Sequence, residues 1–121
     1  MPSTRAVDNF VSLVEAGQFI EALEGFYLED ATMRENMDPP RVGLPTLIEA
    51  ERRVMAASRS VAGRRVGPVF IDGDKVAIRW HFEFTGETGE TRTLDEITWQ
   101  RWQGEKIAEE QFFYDPKQLG R

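Results

Sequence analysis

The stretch KVAIRWHFEFT, residues 75–85, fits only one regular structure. Val76, Ile78, Trp80, Phe82 and Phe84 share one parity, while Lys75, Arg79, His81, Glu83 and Thr85 share the other. A strand separates the two sets cleanly, because successive side chains point to opposite faces. A face this aromatic demands a covering layer, and His81 is assigned to the opposite side.

The flanks extend the pattern. DGD, residues 72–74, is a hairpin signal, so another strand precedes it over about residues 60–71. GETGE leads into TRTLDEITWQRW, and QGE turns into KIAEEQFFYDP. The second half therefore reads as four long antiparallel strands joined by tight turns.

The first half reads as helices. Ser3 or Thr4 caps a helix whose Val7, Phe10, Val11 and Val14 form one stripe, and Gly17 ends it. Gln18 opens a second helix, with Phe19, Ile20, Leu23 and either Phe26 or Tyr27 turned inward. DATMREN is a short strand and DPPRVG a turn, because proline lacks an amide proton and restrains the residue before it. Pro45 starts a third helix over about residues 45–57. Helices followed by strands predict an α+β fold in one domain spanning residues 1–121. Its three N-terminal helices would pack on a strongly curved antiparallel sheet and enclose a cone.

Composition removes several function classes. With 121 residues the chain holds one modest core. A net charge of −6 with only the short basic pairs Arg52-Arg53 and Arg64-Arg65 argues against nucleic acid. No apolar run approaches a membrane span, and the start MPSTRAVDNF has no signal-peptide core. The absence of cysteine excludes disulfides and thiolate chemistry and suits a reducing, cytoplasmic setting. With no glycine-rich phosphate loop and His81 as the only histidine, no cofactor is expected.

The words FYLEDATMREN, RVGLPTLIEAERR and WHFEFTGETGETRTLDEITWQRWQGEKIAEEQFFYDP, in this order, resemble the nuclear transport factor 2-like superfamily. Within it they resemble the SnoaL-like and ketosteroid isomerase-like branch. The resemblance implies helices closing an apolar pocket on the concave sheet face and a homodimer formed through the opposite face. It also implies a catalytic carboxylate at the end of the first short strand, where Glu35 stands beside Asn36. Ketosteroid isomerases carry aspartate at that place and a tyrosine on the first helix. This chain has Glu35 and Phe10 there, so the resemblance does not extend to steroid isomerisation.

Polar residues on inward faces are the remaining candidates. In TRTLDEITWQRW, parity puts Leu94, Glu96, Thr98, Gln100 and Trp102 together but leaves open which face is inner. The resemblance favours the Glu96 and Thr98 face, where carboxylates in an apolar cavity would split their pKa values. Glu96 as an acceptor for neighbouring loops is the structural alternative. In KIAEEQFFYDP, parity groups Ala108, Glu110, Phe112 and Tyr114. Tyr114 either donates into a cavity or finds a backbone acceptor. Glu51 interrupts an apolar helical stripe with Leu44, Leu47, Ile48 and Met55, which calls for a salt bridge or a proton.

Two functions are carried forward. One is a small enzyme, an isomerase, cyclase or hydratase acting on an apolar molecule. Glu35 would be its base, with Glu96 and Tyr114 or Asn36 donating to developing negative charge. Glu51, Trp80, Phe82, Thr98, Glu110 and Phe112 would shape the pocket. The other is a non-catalytic binding or dimerisation module whose carboxylates are structural. A hard-cation site built by Glu35, Glu51, Glu96 and Glu110 has no support from spacing. An open cavity with convergent carboxylates would favour the enzyme. A cavity filled by Trp80, Phe82 and Met55 would favour the module.

Overall fold

The computed structural model describes residues 1–120. Helix α1 (Thr4–Glu15) starts at Ser3, whose hydroxyl accepts the Ala6 amide at 3.1 Å. The same hydroxyl donates to Glu105 at 2.7 Å, tying the helix start to the last hairpin turn. Gly17, with φ +76°, turns the chain into α2 (Phe19–Phe26), and β1 (Tyr27–Glu35) follows without a linker. After β2 (Arg41–Val42) comes α3 (Leu44–Ala57), with proline in its first turn. Strands β3 (Ser60–Arg65), β4 (Phe70–Asp72), β5 (Lys75–Thr85), β6 (Thr91–Gln103) and β7 (Lys106–Phe113) complete the sheet.

The α+β architecture and the three-helix layer are as expected. The sheet differs in detail. Its order is β2-β1-β7-β6-β5-β3, and β1 runs parallel to β7, so it is mixed rather than wholly antiparallel. The sequence shows local hairpins, whereas the β1–β7 pairing joins strands at opposite ends of the chain. The outer strands do not pair with each other, so the sheet is not closed into a barrel. The strand expected over residues 60–71 is two strands, β3 and β4, both paired to β5. Between them, Gly67 takes a φ of +77°. The DPPRVG turn contains β2, which adds an antiparallel edge to β1.

The alternation in β5 sets the core. Val76, Ile78 and Trp80 are buried, while Arg79 is exposed and His81 pairs with Asp95 at 2.8 Å on the outer face. Phe10 of α1 meets Trp102 edge-on, with ring centroids 6.1 Å apart. A shift of register between Arg101 and Trp102 turns Ile107 and Glu110, three positions apart, to the same inner side.

Gly63 lies opposite Phe82 across β3 and β5. A Cβ there would sit 2.5 and 2.7 Å from two Phe82 ring carbons. Gly63→Ala gains about 0.5–1 kcal/mol from backbone entropy and loses about 1–3 kcal/mol to overpacking. Urea unfolding should therefore show a net loss of about 1 kcal/mol. A neutral result would mean that the Phe82 ring swings freely aside.

Candidate active site

Between the helices and the inner sheet face lies a cavity of about 210 Å³. Its walls are mostly apolar: Phe10 and Phe19 from the first two helices, Leu47 and Val54 from α3, and Trp80, Phe82 and Phe84 from β5. Trp80 and Phe82 form walls rather than a plug, and Met55 is 38% exposed. Four glutamates reach this space, Glu35 from β1, Glu51 from α3, Glu96 from β6 and Glu110 from β7.

Glu110 sits deepest, 3% exposed. Tyr27 donates to its Oε1, and Thr98 and Gln100 each donate to its Oε2 at 2.7 Å. The orientation of Gln100 follows from chemistry. The Trp102 indole can only donate, and it meets Gln100 Oε1 at 2.9 Å. The Gln100 amide nitrogen must then face Glu110. Burial pushes the Glu110 carboxyl above its usual range, opposed by the hydrogen bonds from Tyr27, Gln100 and Thr98. Burial also raises the Tyr27 phenol well above its ordinary value, with the charge of Glu110 adding to the shift.

Glu35 is held from behind. Tyr114 Oη donates to its Oε1 at 2.6 Å and Arg41 Nη2 to its Oε2 at 2.7 Å. Arg41 reaches it because β2 folds back beside β1, with Met33 opposite Arg41. Asn36 makes the corner. Its φ of +50° is one asparagine tolerates, its amide donates to the Phe112 carbonyl at 2.7 Å, and its Oδ1 accepts the Tyr114 amide at 3.0 Å.

Glu96 is different. It is 7% exposed, and among the described residues no group donates a hydrogen bond to its side chain. Burial first, then the charges of Glu110, Glu35 and Glu51, push its pKa up to about 8. Glu51 makes no salt bridge among the described residues, because the nearby arginine is committed to Glu35. Its pKa is raised by burial and by Glu110, while Arg41 pulls the other way.

Of the residues singled out from sequence, Glu35, Glu51, Glu96, Glu110, Trp80, Phe82 and Phe112 line the cavity. Thr98 lies behind Glu110, Tyr114 behind Glu35, and Asn36 at the corner between β1 and β7. Tyr27, Arg41 and Gln100 were missed. Gln100 had a signal, since the inner parity of β6 carries the polar run Glu96, Thr98, Gln100. Tyr27 and Arg41 had none stronger than their place beside a helix end and a proline turn. Tyr27 also lies 6.0 Å from Phe10, ring to ring, so a phenol stands next to the place where the resemblance expected one on α1.

A family model, SnoaL-like domain, matches residues 7–110. No protein of curated function matches the sequence. Solved structures do. A protein from Mesorhizobium loti, provisionally named a SnoaL-like polyketide cyclase [carbohydrate phosphatase], superposes with a TM-score of 0.80 at 28% identity, covering 94% of this chain and 100% of that one. TerC, co-crystallised with polyporic acid, gives 0.80 at 15% identity over 96% and 93% of the two chains. A provisional polyketide cyclase from Xanthomonas campestris pv. campestris gives 0.79 at 16% identity over 96% and 92%.

The Glu96 shift has a testable sign. An acid whose pKa is raised on folding holds its proton in the native state after the unfolded chain has released it. Its penalty is absent below the ordinary value of 4.5 and grows as pH rises toward about 8. Wild-type thermal stability should therefore fall between pH 5 and pH 8. Glu96→Gln should flatten that fall and raise Tm at pH 8 by at least about 4 °C, or about 1 kcal/mol. A lower Tm in the variant at pH 8 would show that the carboxyl is a strut.

Proposed function

The chain belongs to the SnoaL-like domain family, and on that premise we propose that its cavity binds a small, largely apolar molecule and moves a proton on it without a cofactor. The reaction class is isomerisation, cyclisation or hydration. One observation carries the reading: two carboxyl groups in opposite settings face the same apolar space. Glu35 is fixed as an acceptor by Arg41 and Tyr114, while Glu96 has no donor and keeps its proton at neutral pH. Glu35 is the base. Its two held oxygens still have lone pairs to offer, since a carboxylate provides about four acceptor sites. Glu96 is the acid that donates to the substrate's acceptor atom. Tyr114 acts through Glu35 and is a positioning residue, as Thr98 and Gln100 are for Glu110. The cavity exceeds the roughly 150 Å³ that admits a benzene ring. That leaves room for a substrate with one ring.

The test is carbon-acid exchange. A panel of small cyclic ketones and amines in deuterium oxide, followed by proton NMR, should include compounds whose C–H exchange the wild type accelerates. Glu35→Gln should lower that rate about 10²–10⁴-fold while leaving the unfolding transition intact. Full activity in the variant would sink the role of Glu35. Binding without exchange would favour the non-catalytic reading, in which the Glu110 network is purely structural.

We also propose a homodimer through the outer sheet face. Ile97, Trp99 and Phe113 are 50%, 46% and 41% exposed there, on adjacent strands. The same face carries Arg79 and Arg101 with Asp95 and Glu109, charges of both signs that suit a self-complementary contact. Sedimentation equilibrium should give twice the chain mass at micromolar concentration, with Trp99→Glu giving the chain mass. A wild-type monomer would count against it.

A further inference from the structure

We propose that the ligand of this cavity carries a basic nitrogen, so that the species held inside is an organic cation with an apolar body. The inference rests on the cavity being a binding site, as proposed above. It begins with the charges on the walls. Among the described lining residues, Glu35, Glu51, Glu96 and Glu110 face one guanidinium, Arg41, which is engaged by Glu35 at 2.7 Å. Helices α1 and α2 and strand β5 present only apolar side chains to the cavity. Among the described lining residues no uncommitted cation is available to receive negative charge.

Glu96 supplies the second observation. It is an unpartnered carboxyl, 93% removed from solvent by its 7% exposure, and it lines the cavity. A group of this kind is costly unless a ligand uses it. Negative charge forming on a substrate oxygen would arise among Glu51, Glu96 and Glu110. Positive charge on a nitrogen would instead be stabilised by each of them once ionised. The aromatic wall acts in the same direction, because ring faces attract cations. Trp80, Phe82 and Phe84 form a series along β5, with successive centroids 5.7 and 6.2 Å apart. A bare metal ion fits less well. Among the described residues no three acidic or histidine side chains are grouped to hold one. Carboxyls spread around an aromatic cavity suit a cation with organic bulk.

The proton balance is explicit. A neutral amine entering the cavity takes the Glu96 proton and forms an ammonium–carboxylate pair. An amine already protonated in water forms the same pair while the Glu96 proton leaves to solvent. The titratable and charged groups around that proton are Tyr27 and Glu35 from β1, Arg41 from β2, Glu51 from α3 and Glu110 from β7. Ammonium binding at pH 7 should release up to about one proton, and at pH 9 almost none.

Titration calorimetry with benzylamine, benzyl alcohol and benzoate tests this on the wild-type protein at pH 7, in phosphate and in Tris. Benzylamine should bind at least about tenfold tighter than benzyl alcohol, with benzoate weakest. Its heat should differ between the two buffers by the released proton. Glu96→Gln should abolish the buffer difference, and Glu51→Gln should weaken benzylamine more than it weakens benzyl alcohol. Benzyl alcohol binding as well as the amine, or benzoate binding tightest, would overturn the inference and leave the pocket reading standing. No binding of any of the three at millimolar concentration would overturn both. A preference for the amine without proton release would overturn the pairing with Glu96.

Discussion

Glu110 is buried at the meeting of three strands, and much of the inner sheet face is organised around it. A carboxyl this deep is tolerable only when its oxygens are satisfied, and here Tyr27 from β1 and Thr98 and Gln100 from β6 supply the donors. The bonds link strands adjacent to β7 on both sides, including the one parallel pair in the sheet. Trp102 closes the chain by fixing Gln100, and its ring packs on Phe10 and Phe26. Helix packing, strand pairing and the polar centre thus share members. Removing one donor would leave a buried acceptor short, at a cost of about 1–3 kcal/mol, more than a typical hydrogen bond contributes net.

The same carboxyl sets the electrostatics of the others. Its charge is the largest named contribution, after burial, to the raised pKa of both Glu96 and Glu51. A fully apolar residue at position 110 would remove the polar centre and also relax the group facing the cavity. The corner at Asn36 works in a parallel way for Glu35. Asn36 pins the end of β1 to the end of β7, which brings Tyr114 behind Glu35, while β2 brings Arg41. Two backbone details therefore decide what an otherwise ordinary glutamate can do.

Much of this was legible in the sequence, and the boundary is physical. The alternation in residues 75–85 identifies a strand because period two depends only on local geometry, and it places His81 outside and Trp80 inside. The helix stripes and caps are local for the same reason. Parallel pairing of β1 with β7 is not local, so hairpin logic could not reach it. Nor could parity survive the bulge near Ala108, where Ile107 and Glu110 turn to the same side. Within the site, side chains on strands with clear parity or at a strand end were found: Glu35, Glu96 and Glu110. Partners delivered by chain reversal were not. Arg41 is six residues from Glu35, yet only the edge pairing of a two-residue strand brings it into contact. Glu51 shows the converse. An unpaired acid in an apolar stripe invited a salt bridge, but the nearby arginine went to the other carboxylate.

That choice by Arg41 has a consequence for the whole cavity. One cation shared equally among the carboxylates would hold them all ionised and leave the pocket a polar, hydrated cleft. Engaged by Glu35, it leaves Glu96 to meet burial and the neighbouring carboxyls by keeping its proton, while Glu51 is pushed in the same direction by burial and Glu110. The cavity wall then carries an exchangeable proton on Glu96 at neutral pH beside the held carboxylate of Glu35. The cost falls on stability and grows with pH, because the unfolded chain releases the Glu96 proton first. A fold selected for stability alone would place an amide at position 96, so this unpaired acid is a stability cost that the packing of the sheet does not require.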